Sequence, residues 1–181
     1  MWACRSRAPT SRSTTAIEDP ARLVLELPDR AATAALAARL ALLLRPGDLL
    51  GLEGELGSGK SEFARALIRA RAGAAIEVPS PTFTLVQHYA LPDLPITHAD
   101  LYRIRDPAEL DELGLEEALA AGALLVEWPE RAGARLPADR LTIRLLLPDP
   151  GEPERRVAEL EAGPGWRSRL GELAGWTPAQ P

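Results

Sequence analysis

Eight consecutive residues, 54–61, carry the clearest chemistry in the sequence, because Gly-Glu-Leu-Gly-Ser-Gly-Lys-Ser matches the phosphate-loop pattern G-x-x-x-x-G-K-[ST]. Glycines in such a loop let backbone N–H groups turn inward and surround an anion. Lys60 can reach the β- and γ-phosphates, and the Ser61 hydroxyl can bind magnesium. We therefore predict that this loop binds ATP with Mg²⁺. The predicted nucleotide contacts are Gly54, Glu55, Leu56, Gly57, Ser58, Gly59, Lys60 and Ser61.

Two carboxylates at predicted strand ends are candidates for the acids that a triphosphate site needs. Asp100 and Glu127 each follow a short apolar run, and the run before Glu127, residues 123–126, is the more apolar. In P-loop enzymes one such carboxylate helps to hold magnesium, and another polar group orients the attacking water. We predict Lys60, Asp100 and Glu127 as catalytic residues, and the sequence leaves open which acid orients the water. For Asp100 the alternatives are a strand-end cap or an ion pair with Arg103.

Three further side chains could be functional but have simpler interpretations. His88 and His98 lie in neighbouring predicted strands, and we expect hydrogen-bonded rings there rather than metal ligands. Trp128 could stack on a ligand or a partner, although packing is the more common role of an aromatic residue.

The elements that must position these residues alternate along the chain. An apolar run at 49–53 precedes the loop and a helical pattern at 61–72 follows it, which is the strand–loop–helix arrangement that the motif requires. Further strands are predicted at 22–27, 82–90, 96–100, 123–127, 141–147 and 156–160, and further helices at 31–44, at 107–119 with a break near Gly114, and at 166–173. This alternation predicts an α/β fold with helices on the faces of one sheet.

Length and composition limit the class of protein. The chain has 181 residues, of which 46% are hydrophobic and 26% charged, and these values favour one domain with its own core. We predict a disordered tail at 1–20, the nucleotide-binding domain at 21–163, and a C-terminal extension at 164–181 with a short helix and a frayed end. Cys4 is the single cysteine, so no intramolecular disulfide can form.

Charge and hydropathy bear on the partners and the compartment. The net charge of −5 and the single lysine, Lys60, make the chain a poor nucleic-acid binder by itself. The longest apolar stretch, residues 31–44, is too short for a membrane span, which takes about 20 apolar residues. We therefore expect a cytoplasmic protein that makes no membrane contact.

Four segments, in this order and spacing, together resemble the TsaE family, also called YjeE. They are the phosphate loop at 54–61, Ser-Pro-Thr-Phe-Thr-Leu-Val at 80–86, His-Ala-Asp-Leu-Tyr-Arg at 98–103 and Val-Glu-Trp-Pro-Glu at 126–130. The resemblance runs from about residue 25 to about residue 160. It implies a P-loop NTPase-like α/β fold in which a mixed β-sheet is flanked by helices in a single domain.

The resemblance also implies a function. Members of the TsaE family act with the TsaB and TsaD proteins in making N6-threonylcarbamoyladenosine at position 37 of tRNA. They hydrolyse ATP and do not transfer the threonylcarbamoyl group. We therefore expect an ATPase that is slow without the TsaB–TsaD complex and that meets tRNA only through that complex.

Roles for individual residues follow from the matched motifs. Ser61 and Glu127 match the family's magnesium ligands, and Asp100 matches an acid placed near the nucleotide. Residues 80–84 match a switch-like segment that faces the phosphates and the partner proteins.

Two residues outside these motifs match nucleotide contacts of the family: Thr33, near the adenine, and Arg156, in the C-terminal hairpin. The chain departs from the family pattern at Glu55, where Asp is usual, and at Ser61, where Thr is usual. Serine keeps the hydroxyl that magnesium needs, so the second change is mild.

Two other functions remain open from the residues alone. A P-loop small-molecule kinase would need an acceptor pocket and an arginine-bearing lid, to which Arg103, Arg105 and Arg131 could contribute. A nucleotide-gated binding module would bind ATP without useful hydrolysis.

Overall fold

One mixed β-sheet organises the part of the chain that the structure, a computed structural model, describes, namely residues 21–147 and 151–177. The strands are β1 (Arg22–Leu27), β2 (Leu49–Glu53), β3 (Val86–Tyr89), β4 (Ile96–Asp100), β5 (Ala123–Glu127), β6 (Leu141–Leu146) and β7 (Arg156–Ala162). The α-helices are α1 (Arg30–Leu43), α2 (Lys60–Ala72), α3 (Leu115–Ala121) and α4 (Arg167–Gly171), and the 3₁₀ helices are Pro107–Glu112, Pro129–Arg135 and Pro164–Trp166. Across the sheet the strand order is β1-β7-β6-β2-β5-β4-β3.

Strand direction brings the ends of five strands to one edge of the sheet. Strands β2, β4, β5 and β6 are parallel, β7 is antiparallel to both β6 and β1, and β3 is antiparallel to β4. The carboxyl ends of β1, β2, β4, β5 and β6 therefore share one edge, which we call the loop edge because the phosphate loop leaves β2 there. Open α/β sheets bind their ligands at this kind of edge. The predicted α/β fold with a mixed sheet flanked by helices is confirmed.

Apolar side chains cover both faces of the sheet. Helices α1, α2 and α4 pack on one face, where Leu36, Phe63 and Leu170 join Leu50 and Leu125 of the central strands. The 3₁₀ helices at 107–112 and 129–135 and helix α3 cover the other face through a second buried cluster, which contains Leu110, Leu115, Ala132 and Leu136. Strands β2, β4 and β5 are buried along almost their whole length, as expected for parallel strands covered on both sides.

The chain before β3 differs from the predicted strand at 82–90. The N–H of Leu85 donates to the carbonyl of Pro81 at 2.6 Å, and Leu85 itself has a left-handed backbone with φ of 63°. Residues 81–84 thus form a turn, and β3 begins only at Val86. One hydrogen bond to β4 forms just before β3 begins, since the N–H of Asp100 donates to the carbonyl of Leu85 at 2.9 Å.

The predicted helix at 107–119 is interrupted at Gly114, as expected, but its first half is a 3₁₀ helix rather than an α-helix. Asp106 caps that half, and the side chain of Glu109 returns to the backbone N–H of Asp106. Gly114 has φ of 63°, a left-handed conformation that favours glycine. Helix α3 then begins at Leu115.

The C-terminal segment is anchored to the start of the strand that carries the phosphate loop. The helix predicted at 166–173 forms as the turn Pro164–Trp166 followed by α4, and Trp166 lies in the core. The guanidinium of Arg169 stacks on the Trp166 ring and donates to both carboxylate oxygens of Asp48, one bond being 2.8 Å long. Asp48 directly precedes β2, so this buried ion pair ties the last helix to that strand.

Replacing Arg169 with alanine is expected to lower the free energy of unfolding by about 3–5 kcal/mol, because the buried carboxylate of Asp48 would lose its charged partner. Urea denaturation followed by circular dichroism measures the change. The control is Arg155→Ala, which removes exposed ion pairs with Glu26 and Glu152 and is expected to leave the midpoint unchanged. Equal midpoints for the two variants would contradict the prediction.

The predicted tail at 1–20 and residues 178–181 lie outside the described residues, and the predicted division of the chain into three segments stays a prediction. Within residues 21–147 and 151–177, the helices are all too short or too polar to cross a bilayer.

Candidate nucleotide-binding site

The phosphate loop connects β2 to α2 in a conformation that depends on two glycines. Gly54 has φ of 135°, and a Cβ at that position would come within 2.4 Å of the Leu145 carbonyl oxygen. Gly59 has φ of 104° and occupies the N-cap position of α2. Because glycine has no side chain to accept a hydrogen bond, the N–H groups of the first turn of α2 are left free at the loop edge. A helix N-terminus of this kind favours a phosphate through its unpaired N–H groups and its positive dipole end. A larger residue at Gly54 would disrupt the loop that presents these groups.

Lys60, the first residue of α2, lies almost fully buried at the mouth of the loop. Its Nζ donates to the carbonyl oxygens of Gly54 and Glu55, both at 2.8 Å. The same ammonium lies 3.9 Å from the centroid of the Trp128 ring, within range for a cation–π contact. Burial lowers the pKa of Lys60, while the nearby carboxylates of Glu127, Glu130 and Asp100 oppose that shift. The Nζ of Lys60 thus lies at the loop, between two of its carbonyl oxygens and the Trp128 ring.

Ser61 and Glu127 meet below the loop. The hydroxyl of Ser61 donates to Oε2 of Glu127 at 2.8 Å, and Glu127 is only 2% exposed. Its other carboxylate oxygen, Oε1, lies 2.9 Å from Nε2 of His98. A hydroxyl and a carboxylate are hard oxygen donors, which suit Mg²⁺.

This donor set suits a metal shared with phosphates rather than a metal bound by protein alone. In the described part of the chain, no group of three or more His, Cys, Asp or Glu side chains is placed to hold an ion. Magnesium is typically bound through one or two protein ligands together with substrate phosphates and water. Ser61 and Glu127, next to Lys60, fit that arrangement.

Asp100 ends β4 directly opposite Glu127 of β5. Its Oδ1 accepts from the backbone N–H of Tyr102 at 2.9 Å, and its Oδ2 accepts from the hydroxyl of Thr82 at 2.7 Å. The first of these bonds is the strand-end cap that the sequence allowed. The alternative partner, Arg103, has its guanidinium 5.9 Å from the centroid of the Phe83 ring instead.

Of the two remaining predicted nucleotide contacts, Arg156 contacts the phosphate loop and Thr33 does not. Arg156, at the start of β7, donates through Nε to the carbonyl of Ser58 at 3.0 Å and so contacts the loop directly. Thr33 lies in the first turn of α1, where its hydroxyl donates to the Asp29 carbonyl at 3.2 Å. Helix α1 nevertheless starts at the loop edge, because it follows the carboxyl end of β1, where Leu27 pairs with Arg156.

Both histidines have hydrogen-bonded rings in their strands, His98 with Glu127 and His88 with Thr97.

Two side chains of the site were not expected from the sequence to contact its charged groups. Trp128 has a left-handed backbone, with φ of 59°, which turns the chain after Glu127 and brings the indole against Lys60. Thr82 reaches Asp100 from the turn before β3. The available signals were an aromatic residue directly after a strand-end acid and a hydroxyl in a proline-rich turn.

Two cavities lie near the ends of the sheet. One of about 520 Å³ opens beside the phosphate loop and is lined by Gly54, Glu55, Trp128 and Glu130, among others. A larger one, of about 1100 Å³, lies between α3 and the 3₁₀ helix at 129–135, and none of the predicted site residues lines it. The smaller cavity thus adjoins the start of the loop, whereas Lys60, Ser61, Asp100 and Glu127 do not line it.

Comparison with known proteins gives a consistent result. The family model described as "Threonylcarbamoyl adenosine biosynthesis protein TsaE" matches residues 27–157. The tRNA threonylcarbamoyladenosine biosynthesis protein TsaE of Rickettsia bellii is 42% identical over 113 residues, which cover 62% of this chain and 78% of that protein. The protein of the same name from Bacillus subtilis is 36% identical over 143 residues, covering 78% of this chain and 87% of that protein.

A solved structure shares the fold. The crystal structure of Bacillus subtilis YdiB superposes with a TM-score of 0.69 at 29% sequence identity, covering 85% of this chain and 94% of that one. The family model spans most of the chain and includes the phosphate loop, Asp100 and Glu127. This chain belongs to the TsaE family.

Proposed function

We propose that this chain is the ATP-hydrolysing component of tRNA N6-threonylcarbamoyladenosine synthesis and that it acts with TsaB and TsaD in the cytoplasm. The names of its relatives support the pathway. The observation that carries the hydrolytic role is the hydrogen bond between Ser61 and Glu127, because it sets a hydroxyl and a buried carboxylate together beside Lys60. That combination is what magnesium-dependent phosphoryl transfer requires.

Binding of ATP would use groups that the loop already presents. The backbone N–H groups at the start of α2 would bind the phosphates, and Lys60 would exchange its contacts with the Gly54 and Glu55 carbonyls for phosphate oxygens. Arg156 would support the loop from β7 through its bond to Ser58. Mg²⁺ held by Ser61 and Glu127 would neutralise charge on the phosphates.

The hydrogen bonds around the two acids suggest separate roles for them. Glu127 accepts a hydrogen bond from the hydroxyl of Ser61, the other proposed magnesium ligand, which suits a metal ligand. Asp100 is held by Thr82 and by the Tyr102 N–H at the end of the neighbouring strand. We assign to Asp100 the orientation of the attacking water, and to Lys60 and the loop the stabilisation of charge that develops on the γ-phosphate.

The test is the rate of ATP hydrolysis by the pure protein with and without an added TsaB–TsaD complex. We expect slow hydrolysis alone and a clear stimulation by the complex, because a partner can complete the site next to the segment at 80–84, in which Phe83 is 86% exposed. With its charge of −5, this chain is expected to need that complex for any contact with tRNA.

Three outcomes would oppose the proposal in different ways. If the complex neither stimulates hydrolysis nor binds the protein, the assignment of TsaB and TsaD as partners is wrong. Tight ATP binding without phosphate release, even with the complex present, would favour a nucleotide-gated binding module. A phosphorylated metabolite formed from a mixed metabolite pool would favour a small-molecule kinase.

A further inference from the structure

His98 is a buried side chain of β4 for which the catalytic scheme above has no role. It is 1% exposed, and its Nε2 lies 2.9 Å from Oε1 of Glu127. It stands two residues before Asp100, so both side chains point to the same face of β4. His98 therefore belongs to the layer directly below the acids of the site.

The parallel register of β4 and β5 explains why His98 reaches Glu127. His98 pairs with Leu125, and Asp100 pairs with Glu127. On the shared face His98 is thus the diagonal neighbour of Glu127, at a spacing that long side chains and aromatic rings can bridge. The contact is fixed by two central strands and not by a mobile loop.

The contact determines how the carboxylate of Glu127 is turned. A carboxylate that binds Mg²⁺ only accepts hydrogen bonds, so in the proposed site Nε2 of His98 would be the donor to Oε1. With Oε1 held in this way, Oε2 is left facing the hydroxyl of Ser61, from which it accepts at 2.8 Å. Groups that hold a ligating carboxylate in this manner tune metal affinity.

We propose that His98 is a positioning residue that orients Glu127 for binding of the Mg²⁺–nucleotide complex. The inference rests on the proposed function, since it concerns the magnesium site assigned there. It gives His98 no contact with the nucleotide itself.

A purely structural role for His98 explains less of its surroundings. The second ring nitrogen, Nδ1, has no hydrogen-bond partner in the described part of the chain, although it is buried. An unpaired buried polar atom is destabilising, so an apolar side chain would serve packing better. His88 is the natural comparison, because its ring is more exposed and bonds to Thr97 instead of a site residue.

The experiment measures how Mg²⁺ changes the binding of a non-hydrolysable ATP analogue, by calorimetry at a series of magnesium concentrations and in EDTA. We expect His98→Leu to raise the magnesium concentration needed for half-maximal binding by about 10- to 100-fold. Binding in EDTA should stay at the wild-type level, since His98 does not touch the nucleotide. The amide of His98→Gln can donate from near the position of Nε2, so this variant should need nearly the wild-type magnesium concentration. The control His88→Leu should behave as wild type.

A wild-type magnesium requirement in His98→Leu would overturn the inference and leave the proposed function intact. If His98→Leu does not fold, His98→Gln is compared with His98→Asn, whose side chain is one methylene shorter and does not reach Glu127. An equal magnesium requirement in these two variants would also overturn the inference. Wild-type protein that binds the analogue equally well with and without Mg²⁺ would overturn the magnesium site of the proposed function and this inference together.

Discussion

Replacing Lys60 with alanine is expected to slow ATP hydrolysis by about 100- to 1000-fold, the loss usual when one preorganised electrostatic contact to the transition state is removed. Lys60 is the single lysine of the chain, and no second ammonium can replace it. Release of inorganic phosphate at saturating ATP, in the presence of the TsaB–TsaD complex, measures the effect. Far-ultraviolet circular dichroism should show an unchanged fold, because the side chain points into the loop and not into the core.

The matched control for this variant is Arg69→Ala. Arg69 lies on the same helix, α2, and its Nε donates to the carbonyl of Ile76 at the surface, away from the loop. This change removes one positive charge from α2 without touching the site, so hydrolysis should continue at the wild-type rate. Hydrolysis by Lys60→Ala at that same rate would mean that the loop does not act on the γ-phosphate.

The second large effect is expected at Asp100. Asp100→Asn keeps the size of the side chain and an oxygen for the Tyr102 N–H, but it removes the negative charge that would orient and polarise water. We expect kcat to fall by about 100- to 10,000-fold, as for loss of a general base, with little change in the KM for ATP. Steady-state kinetics at saturating magnesium separates the two constants.

Comparison with Glu127→Gln decides which acid acts on the water. If Glu127 holds the metal, its variant should need more magnesium and should recover part of its activity when magnesium is raised, whereas Asp100→Asn should not recover. Asp111→Asn is the control, since Asp111 is an exposed acid paired with Arg135 outside the site. The assignment is reversed if magnesium rescues Asp100→Asn and leaves Glu127→Gln inactive.

The phosphate loop and its flanking elements could be predicted from sequence because the information is local. Eight contiguous residues contain the motif, and the apolar run before it and the helical pattern after it lie next to it in the chain. The strand-end positions of Asp100 and Glu127 were predictable for the same reason, as each ends its own apolar run. Parallel strands covered on both faces have such runs, and their carboxyl ends meet at one edge of the sheet.

The contacts between these segments could not be predicted, because they depend on register and on backbone conformations that no short pattern encodes. The pairing of Asp100 with Glu127 follows from the alignment of β4 with β5. Thr82 reaches Asp100 only because residues 81–84 turn back instead of extending as the β-rich composition suggested. Arg156 contacts Ser58 across 98 positions of sequence because β7 returns antiparallel beside β6.

The contacts of Lys60 have a consequence for product release. If the loop binds and releases phosphate as proposed, the ammonium would have two carbonyl oxygens and an aromatic ring to return to, so departure of the anion would not leave an unpaired charge in a nearly buried position. These contacts stabilise the empty loop, so the difference in free energy between the bound and the empty state would be smaller than without them. In the proposed ATPase, a site built in this way would favour rapid exchange of spent nucleotide over retention.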